Sequence, residues 1–129
     1  DLTVFNYTEM GNDMLEDGLY VLEDKLKDKA FFDKMVRFVK ASMKGWEYAQ
    51  AHPDEAAQIV INNDETGAQT LAHQLYMIKE VDKLTEGSNG VLDPAAFDRT
   101  AKMVLDQKII TKQPEGAWSH DVTDAAGLK

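Results

Sequence analysis

Apolar residues recur at helical spacing through most of the chain after residue 28. Between Asp28 and Ala51 they follow one another every three or four positions and so form a single stripe on one helix face, made of Phe31, Phe32, Met35, Val39, Met43, Trp46 and Ala49. Asp28 stands before this stripe as an N-cap, and His52-Pro53 follows it as a break. The pattern therefore predicts one helix of about 35 Å with Trp46 in its packed face.

Three shorter helices are predicted beyond this break. The first and the last of the three begin with a proline or a polar cap that precedes apolar residues at helical spacing. They run from Pro53 through Ile61, from about Leu71 to Thr85, and from Pro94 onward with Asp93 as N-cap. The polar segments 62–67 and 86–90 separate them as a turn and a loop. The last twenty residues are predicted to be a loop with one short helical turn at residues 123–126.

The first 27 residues follow a different pattern. Leu2–Tyr7 is rich in β-branched and aromatic residues, as short strands are, and Leu19–Leu22 is apolar on both faces, as a buried strand is. Two isolated strands have little stability, so these segments indicate missing sheet partners. We expect a predominantly α chain with two or so short β-strands in residues 1–27, helices in 28–107, and a C-terminal loop with a short helix in 108–129.

Charge and composition exclude several functions. The chain has 129 residues, a net charge of −9 and no cysteine. Such a negative field repels nucleic-acid phosphates and anionic membrane surfaces. The absence of cysteine excludes disulfides and thiolate chemistry within this sequence. Residues 1–4 have neither the basic nor the apolar region of a signal peptide.

The histidines do not form a metal or catalytic motif. His52, His73 and His120 are far apart and lack the spacing of a zinc motif, so we expect a helix end for His52 and a helix face for His73. His120 shares a loop with Trp118 and Ser119. Ser119-His120-Asp121 are consecutive, however, and consecutive side chains do not converge as a nucleophilic triad requires.

No cofactor site is evident either. Asp13 begins an acidic stretch that superficially resembles a calcium loop, but Leu15 occupies a position that must supply a ligand. Neither of the glycine-rich phosphate-binding motifs is present. Nothing among these residues indicates an enzyme.

One short region has the character of a ligand site. Tyr7 and Met10 stand beside Gly11 at the end of the first predicted strand, where α/β proteins often bind ligands. Simple packing at a strand end is an equally good interpretation of these residues.

Several ordered stretches resemble the C-terminal part of the NMT1/THI5-like, or NitT/TauT-type, periplasmic substrate-binding proteins of ABC transporters. These stretches are residues 4–11, 38–41, 45–49, 52–56, 92–97, 110–112 and 114–120. The resemblance implies a piece of a two-lobed clamp with a type II periplasmic-binding-protein-like α/β fold. The intact clamp closes about its hinge on a small solute and presents that solute to a membrane permease outside the cytoplasm.

The resemblance also implies which residues meet the solute. Residues 6–11 would border the hinge and cleft, and Tyr7, Glu9 and Met10 would face the solute. Trp118 is a further cleft candidate, although packing beneath its own loop is the preferred interpretation. The implied partners are the solute, the permease and the missing N-terminal part of the protein, with no cofactor and no nucleic acid. The unpaired strands would also allow a dimer.

Two alternatives stay open. Some members of this superfamily are enzymes that make the thiamine pyrimidine with iron, but they carry a cysteine-rich motif that this sequence lacks. The chain would otherwise be a stand-alone helical module that binds a protein partner. The solute itself is not specified: nitrate, alkyl sulfonates, taurine, aromatic acids, riboflavin-like molecules and thiamine-pyrimidine-like molecules all suit the resemblance.

Overall fold

The computed structural model describes residues 2–129, and Asp1, the first residue of the predicted 1–27 segment, lies outside this range. Residues 2–129 contain six helices: α1 (Glu23–Leu26), α2 (Lys29–Ala51), α3 (Pro53–Asn63), α4 (Leu71–Thr85), α5 (Pro94–Asp106) and α6 (Asp121–Ala125). The predicted positions of α2 to α5 are confirmed, and α6 begins two residues before the predicted turn.

α2 and α5 begin where their capping residues predict. The Asp28 carboxylate accepts a hydrogen bond from the Phe31 amide at 3.0 Å. The Asp93 carboxylate accepts from the Ala95 and Ala96 amides at 3.0 and 3.2 Å, with Pro94 as the first helical residue. These carboxylates satisfy amides that have no partner within their own helix, which fixes where each helix begins.

The prediction of β-strands, and with it the α/β fold class, is wrong for the described residues. Residues 2–22 contain no strand or ladder, and Leu2–Tyr7 and Leu19–Leu22 are both exposed. The physical reason is that a strand needs a neighbour to accept its backbone hydrogen bonds, and residues 2–129 supply none. Apolar β-branched composition alone does not supply that neighbour.

The packed interior is made of small residues. Within residues 2–129 the buried residues are Val39, Ala57, Ala101 and Ala126, and Ala57 in α3 is 0% exposed. α3 packs closely on α4, and α2 contacts α1, α3, α4 and α6. Alanine allows two helix backbones to approach closely but removes little apolar area from water, so each contact contributes little hydrophobic stabilisation.

The described chain exposes far more surface than a compact monomer does. Its accessible area is 10485 Å², whereas a compact protein of 14.5 kDa exposes about 6,900 Å². Large apolar side chains contribute to the excess, most of all in the N-terminal 22 residues and also on the surfaces of α2, α3 and α4. Trp46 is half exposed, so its prediction as a core residue is wrong.

Irregular segments, rather than other helices, hold α5. The Leu15 amide donates to Thr100 Oγ1 at 2.9 Å, and Arg99 pairs with Asp13 at 3.2 Å. On the C-terminal side the Phe97 ring contacts the Trp118 ring. The N-terminal segment is therefore tied to α5 at residues 13–15, while residues 2–12 extend beyond this anchor.

Asp64 organises the connection between α3 and α4. Its carboxylate accepts hydrogen bonds from the Thr66 hydroxyl at 2.6 Å, the Thr66 amide at 2.9 Å and the Gln69 amide at 2.8 Å. These bonds favour the charged form, the Thr66 hydroxyl most, and hold the pKa of Asp64 below its ordinary value of 3.8.

We expect Asp64→Asn to reduce the acid sensitivity of folding. Because the pKa of Asp64 is lower in the folded chain than in the unfolded chain, its stabilisation is present above the unfolded pKa and is lost as pH falls through the folded value. Urea unfolding at pH 7 and pH 3 measures this difference. Glu65→Gln, a neighbouring exposed position, is the matched control. Equal pH dependence in Asp64→Asn and wild type would contradict the prediction.

Candidate functional site

Residues 6–12 form a compact turn, here called the Tyr7 turn. The Asn6 side chain accepts from the Thr8 and Glu9 amides at 3.0 and 3.4 Å. The Tyr7 carbonyl accepts from the amides of Met10 and Asn12 at 3.1 and 2.8 Å. Gly11 closes the turn at φ 80°, a conformation that glycine adopts without steric cost. The turn is therefore held by its own hydrogen bonds, although it lies outside any helix.

The Tyr7 turn presents its side chains to solvent. Tyr7 is 70% exposed and Met10 is 58% exposed. Glu9 is exposed, and its carboxylate accepts only a long hydrogen bond, 3.4 Å, from the Asn6 amide group. An aromatic ring, a flexible thioether and a carboxylate thus project from one turn with little packing against the rest of residues 2–129.

Trp118 lies in a different setting. Its ring meets Phe97 of α5 edge-on, with centroids 6.5 Å apart, and stands 4.8 Å from the His120 ring. The His120 Nε2 is 2.8 Å from the Leu92 carbonyl oxygen, which ties this cluster to the start of α5. Trp118 is nevertheless 40% exposed. The observed contacts agree with packing beneath the loop, the preferred interpretation of this residue.

The structure does not join the predicted site residues into one pocket. Tyr7, Glu9 and Met10 share one turn, whereas Trp118 packs on α5, and no hydrogen bond or ring contact within residues 2–129 links the two groups. His52 lies between α2 and α3 and stacks on Tyr48 at 4.5 Å, while His73 lies on the surface of α4. His52 and His73 therefore occupy the helix positions expected from the sequence.

Two features were missed by sequence reasoning. Tyr48 donates a 2.6 Å hydrogen bond to Glu55, and this bond raises the pKa of Tyr48 and joins α2 to α3. A groove along α2 is lined by Arg37, Lys40 and Lys44. The groove had a signal in the sequence, since basic residues three and four positions apart share a helix face.

The described residues offer no site for a metal ion. No group of three or more potential ligands among histidine, aspartate and glutamate comes together within residues 2–129. No helix in this range combines the length and apolar character that crossing a bilayer requires.

Comparison with known families supports the resemblance in its N-terminal part. Residues 1–56 match the family model described as NMT1/THI5 like. The match contains the Tyr7 turn and all of α2, and it leaves Trp118 outside. No curated protein and no solved structure matches the chain. The finding therefore supports an NMT1/THI5-like relationship over residues 1–56.

Proposed function

We propose that this chain is part of an extracytoplasmic solute-binding protein that supplies a small molecule to an ABC importer. The observation that carries the proposal is the NMT1/THI5-like match over residues 1–56, the region that contains the Tyr7 turn. In this proposal the intact protein has two lobes that close on the solute, and the chain itself carries out no chemical step.

The large exposed surface is consistent with a chain that packs against further polypeptide. The excess over a compact monomer is about 3,600 Å², and exposed apolar side chains are concentrated in the N-terminal 22 residues. Surface of this kind normally marks an interaction face. It favours a part of a larger protein over a self-contained helical module.

Hinge closure gives the Tyr7 turn its role. A solute that contacts both lobes stabilises the closed form by the difference between its affinities for the closed and open forms. The exposed Tyr7 ring is suited to stack on a planar group, and the flexible Met10 side chain adapts to an irregular apolar shape. In the absence of the opposing lobe, these contacts are made on one side only, and we expect weak binding.

The negative charge of the Tyr7 turn favours some solutes over others. Glu9 is the charged side chain nearest in sequence to Tyr7 and Met10, and residues 1–24 contain no lysine or arginine. A bare anion such as nitrate is repelled at such a position, whereas an ammonium or amino group is attracted to the carboxylate. We therefore favour an amine-bearing solute, such as taurine or an aminopyrimidine, over nitrate.

Tyr7→Ala in the intact gene product should weaken solute binding about tenfold, the effect of removing one aromatic stacking contact of about 1.4 kcal/mol. Titration calorimetry with taurine, an aminopyrimidine and nitrate measures the affinities. Tyr20→Ala is the matched control, because Tyr20 is 85% exposed and lies outside the turn.

The outcomes separate the parts of this proposal. An intact protein that binds none of the three solutes would argue against the proposed solute classes. Equal affinities of the Tyr7→Ala and Tyr20→Ala variants would remove the Tyr7 turn from the site. Tight binding by the 129-residue chain alone would contradict the need for a second lobe.

A further inference from the structure

A groove of about 450 Å³ runs along α2 and has a cationic wall. Arg37, Lys40 and Lys44 line it together with one carboxylate, Glu47, and the apolar side chains of Met43 and Leu128. We call it the cationic groove. None of its three bases lies within ion-pair distance of a carboxylate in residues 2–129, whereas Lys27, Lys29, Lys83, Arg99 and Lys102 all do.

This concentration of positive charge is unfavourable in isolation. The groove carries three basic side chains against one acidic side chain, on a chain whose net charge is −9. Like charges three and four positions apart on a helix repel one another. An anionic segment that also carries apolar side chains would relieve this repulsion and cover Met43 and Leu128.

The chain itself contains a segment of this chemistry. Residues 13–22, here called the acidic arm, have no basic residue and place Glu16 and Asp17 between the exposed Leu15 and Leu19. Neither of these two carboxylates forms an ion pair within residues 2–129. The acidic arm and the cationic groove are therefore complementary both in charge and in apolar content.

The acidic arm does not fill the groove of its own chain. It is held on α5 by the Leu15 amide bond to Thr100 and by the Asp13–Arg99 pair. We propose that two copies of the chain form a symmetric dimer in which the acidic arm of each copy lies in the cationic groove of the other. This contact uses side chains and differs from the strand pairing expected from the sequence.

The available area is sufficient for this contact. A stable interface buries about 800 Å² on each partner, which is a minor part of the exposed excess of about 3,600 Å² per chain, so the rest of that surface remains available to the further polypeptide of the intact protein. In a two-fold dimer the same contact forms twice, so each arm needs to bury only part of that area. The Tyr7 turn stays outside the contact, and the dimer does not rest on the proposed solute function.

A charge-exchange experiment on the 129-residue chain tests the dimer. The groove variant carries Lys40→Glu and Lys44→Glu, and the arm variant carries Glu16→Lys and Asp17→Lys. Sedimentation analysis at low and high salt measures association. We expect wild type to dimerise more weakly at high salt, since exposed charge pairs are screened, and each variant alone to dimerise at least about tenfold more weakly.

The mixture of the two variants is the decisive measurement. In the mixture each acidic arm meets a basic groove and each basic arm meets an acidic groove, so a heterodimer should form although each variant alone dimerises only weakly. Lys79→Glu with Lys112→Glu is the matched control, because it makes the same charge change on exposed lysines outside the groove and should leave the dimer intact. Circular dichroism of each variant checks that the helices are retained.

Three results would overturn the proposal. The first is a wild-type chain that stays monomeric at low salt, which would leave the groove to another acidic protein. The second is a dimer that both variants retain. The third is a mixture that fails to form the heterodimer while both variants keep their helical content.

Discussion

Replacing Ala57 with leucine should destabilise the chain by about 1–3 kcal/mol. Ala57 lies in α3, which packs against both α2 and α4, and its side chain has no exposed surface. Leucine adds three heavy atoms where two helix backbones approach each other closely, so the helices must separate or the new side chain must adopt a strained rotamer. Urea unfolding followed by circular dichroism measures the change in the free energy of unfolding.

Ala72→Leu is the matched control for this prediction. It makes the same addition on an exposed position of α4, where leucine is a good helix former, and should change the unfolding free energy by less than about 0.5 kcal/mol. If Ala57→Leu were as harmless as Ala72→Leu, the close approach of helices through alanine would not be a source of stability.

The helix boundaries could be predicted because their causes are local. Asp28 and Asp93 each cap amides two or three residues further along, and Pro53 follows a break in the apolar pattern. These interactions require no distant part of the chain. They form in the structure as the sequence predicts, whatever covers the outer faces of the helices.

The conformation of the N-terminal segment could not be predicted, because the formation of a strand depends on a neighbour that is not local in sequence. Leu2–Tyr7 and Leu19–Leu22 have the composition of strands, but a strand is stabilised by a neighbouring edge. Within residues 2–129 the N-terminal segment contacts α5 instead, through Leu15 and Asp13. Composition thus identified segments that need a partner, and it could not supply the partner or the resulting conformation.

The sequence could indicate the candidate residues but not the contacts that surround them, because those contacts also depend on the folded chain. The sequence pointed to Tyr7, Glu9 and Met10, which the structure places in one exposed turn, but it gave no sign that Asn6 would organise that turn. Helical periodicity placed Trp46 in a packed stripe. The stripe is wider than the surface that α2 buries within residues 2–129, so Trp46 is left half exposed.

Gly90→Ala should destabilise the chain by about 2–3 kcal/mol, because it combines two unfavourable effects. Gly90 has φ 75°, a left-handed conformation that alanine adopts only with strain. A β-carbon there would also lie 2.5 Å from the Met43 Sδ of α2, so the methionine side chain would have to move. Thermal and urea unfolding measure the loss of stability.

Gly87→Ala separates these two effects. Gly87 has the same φ of 75°, but a β-carbon at this position would meet no atom within 4 Å. Only the backbone strain remains, and the expected cost is about 1 kcal/mol. The difference between the two variants therefore reports the contact of the α4–α5 loop with Met43. Equal costs would show that Met43 moves aside freely and that this contact does not hold the loop against α2.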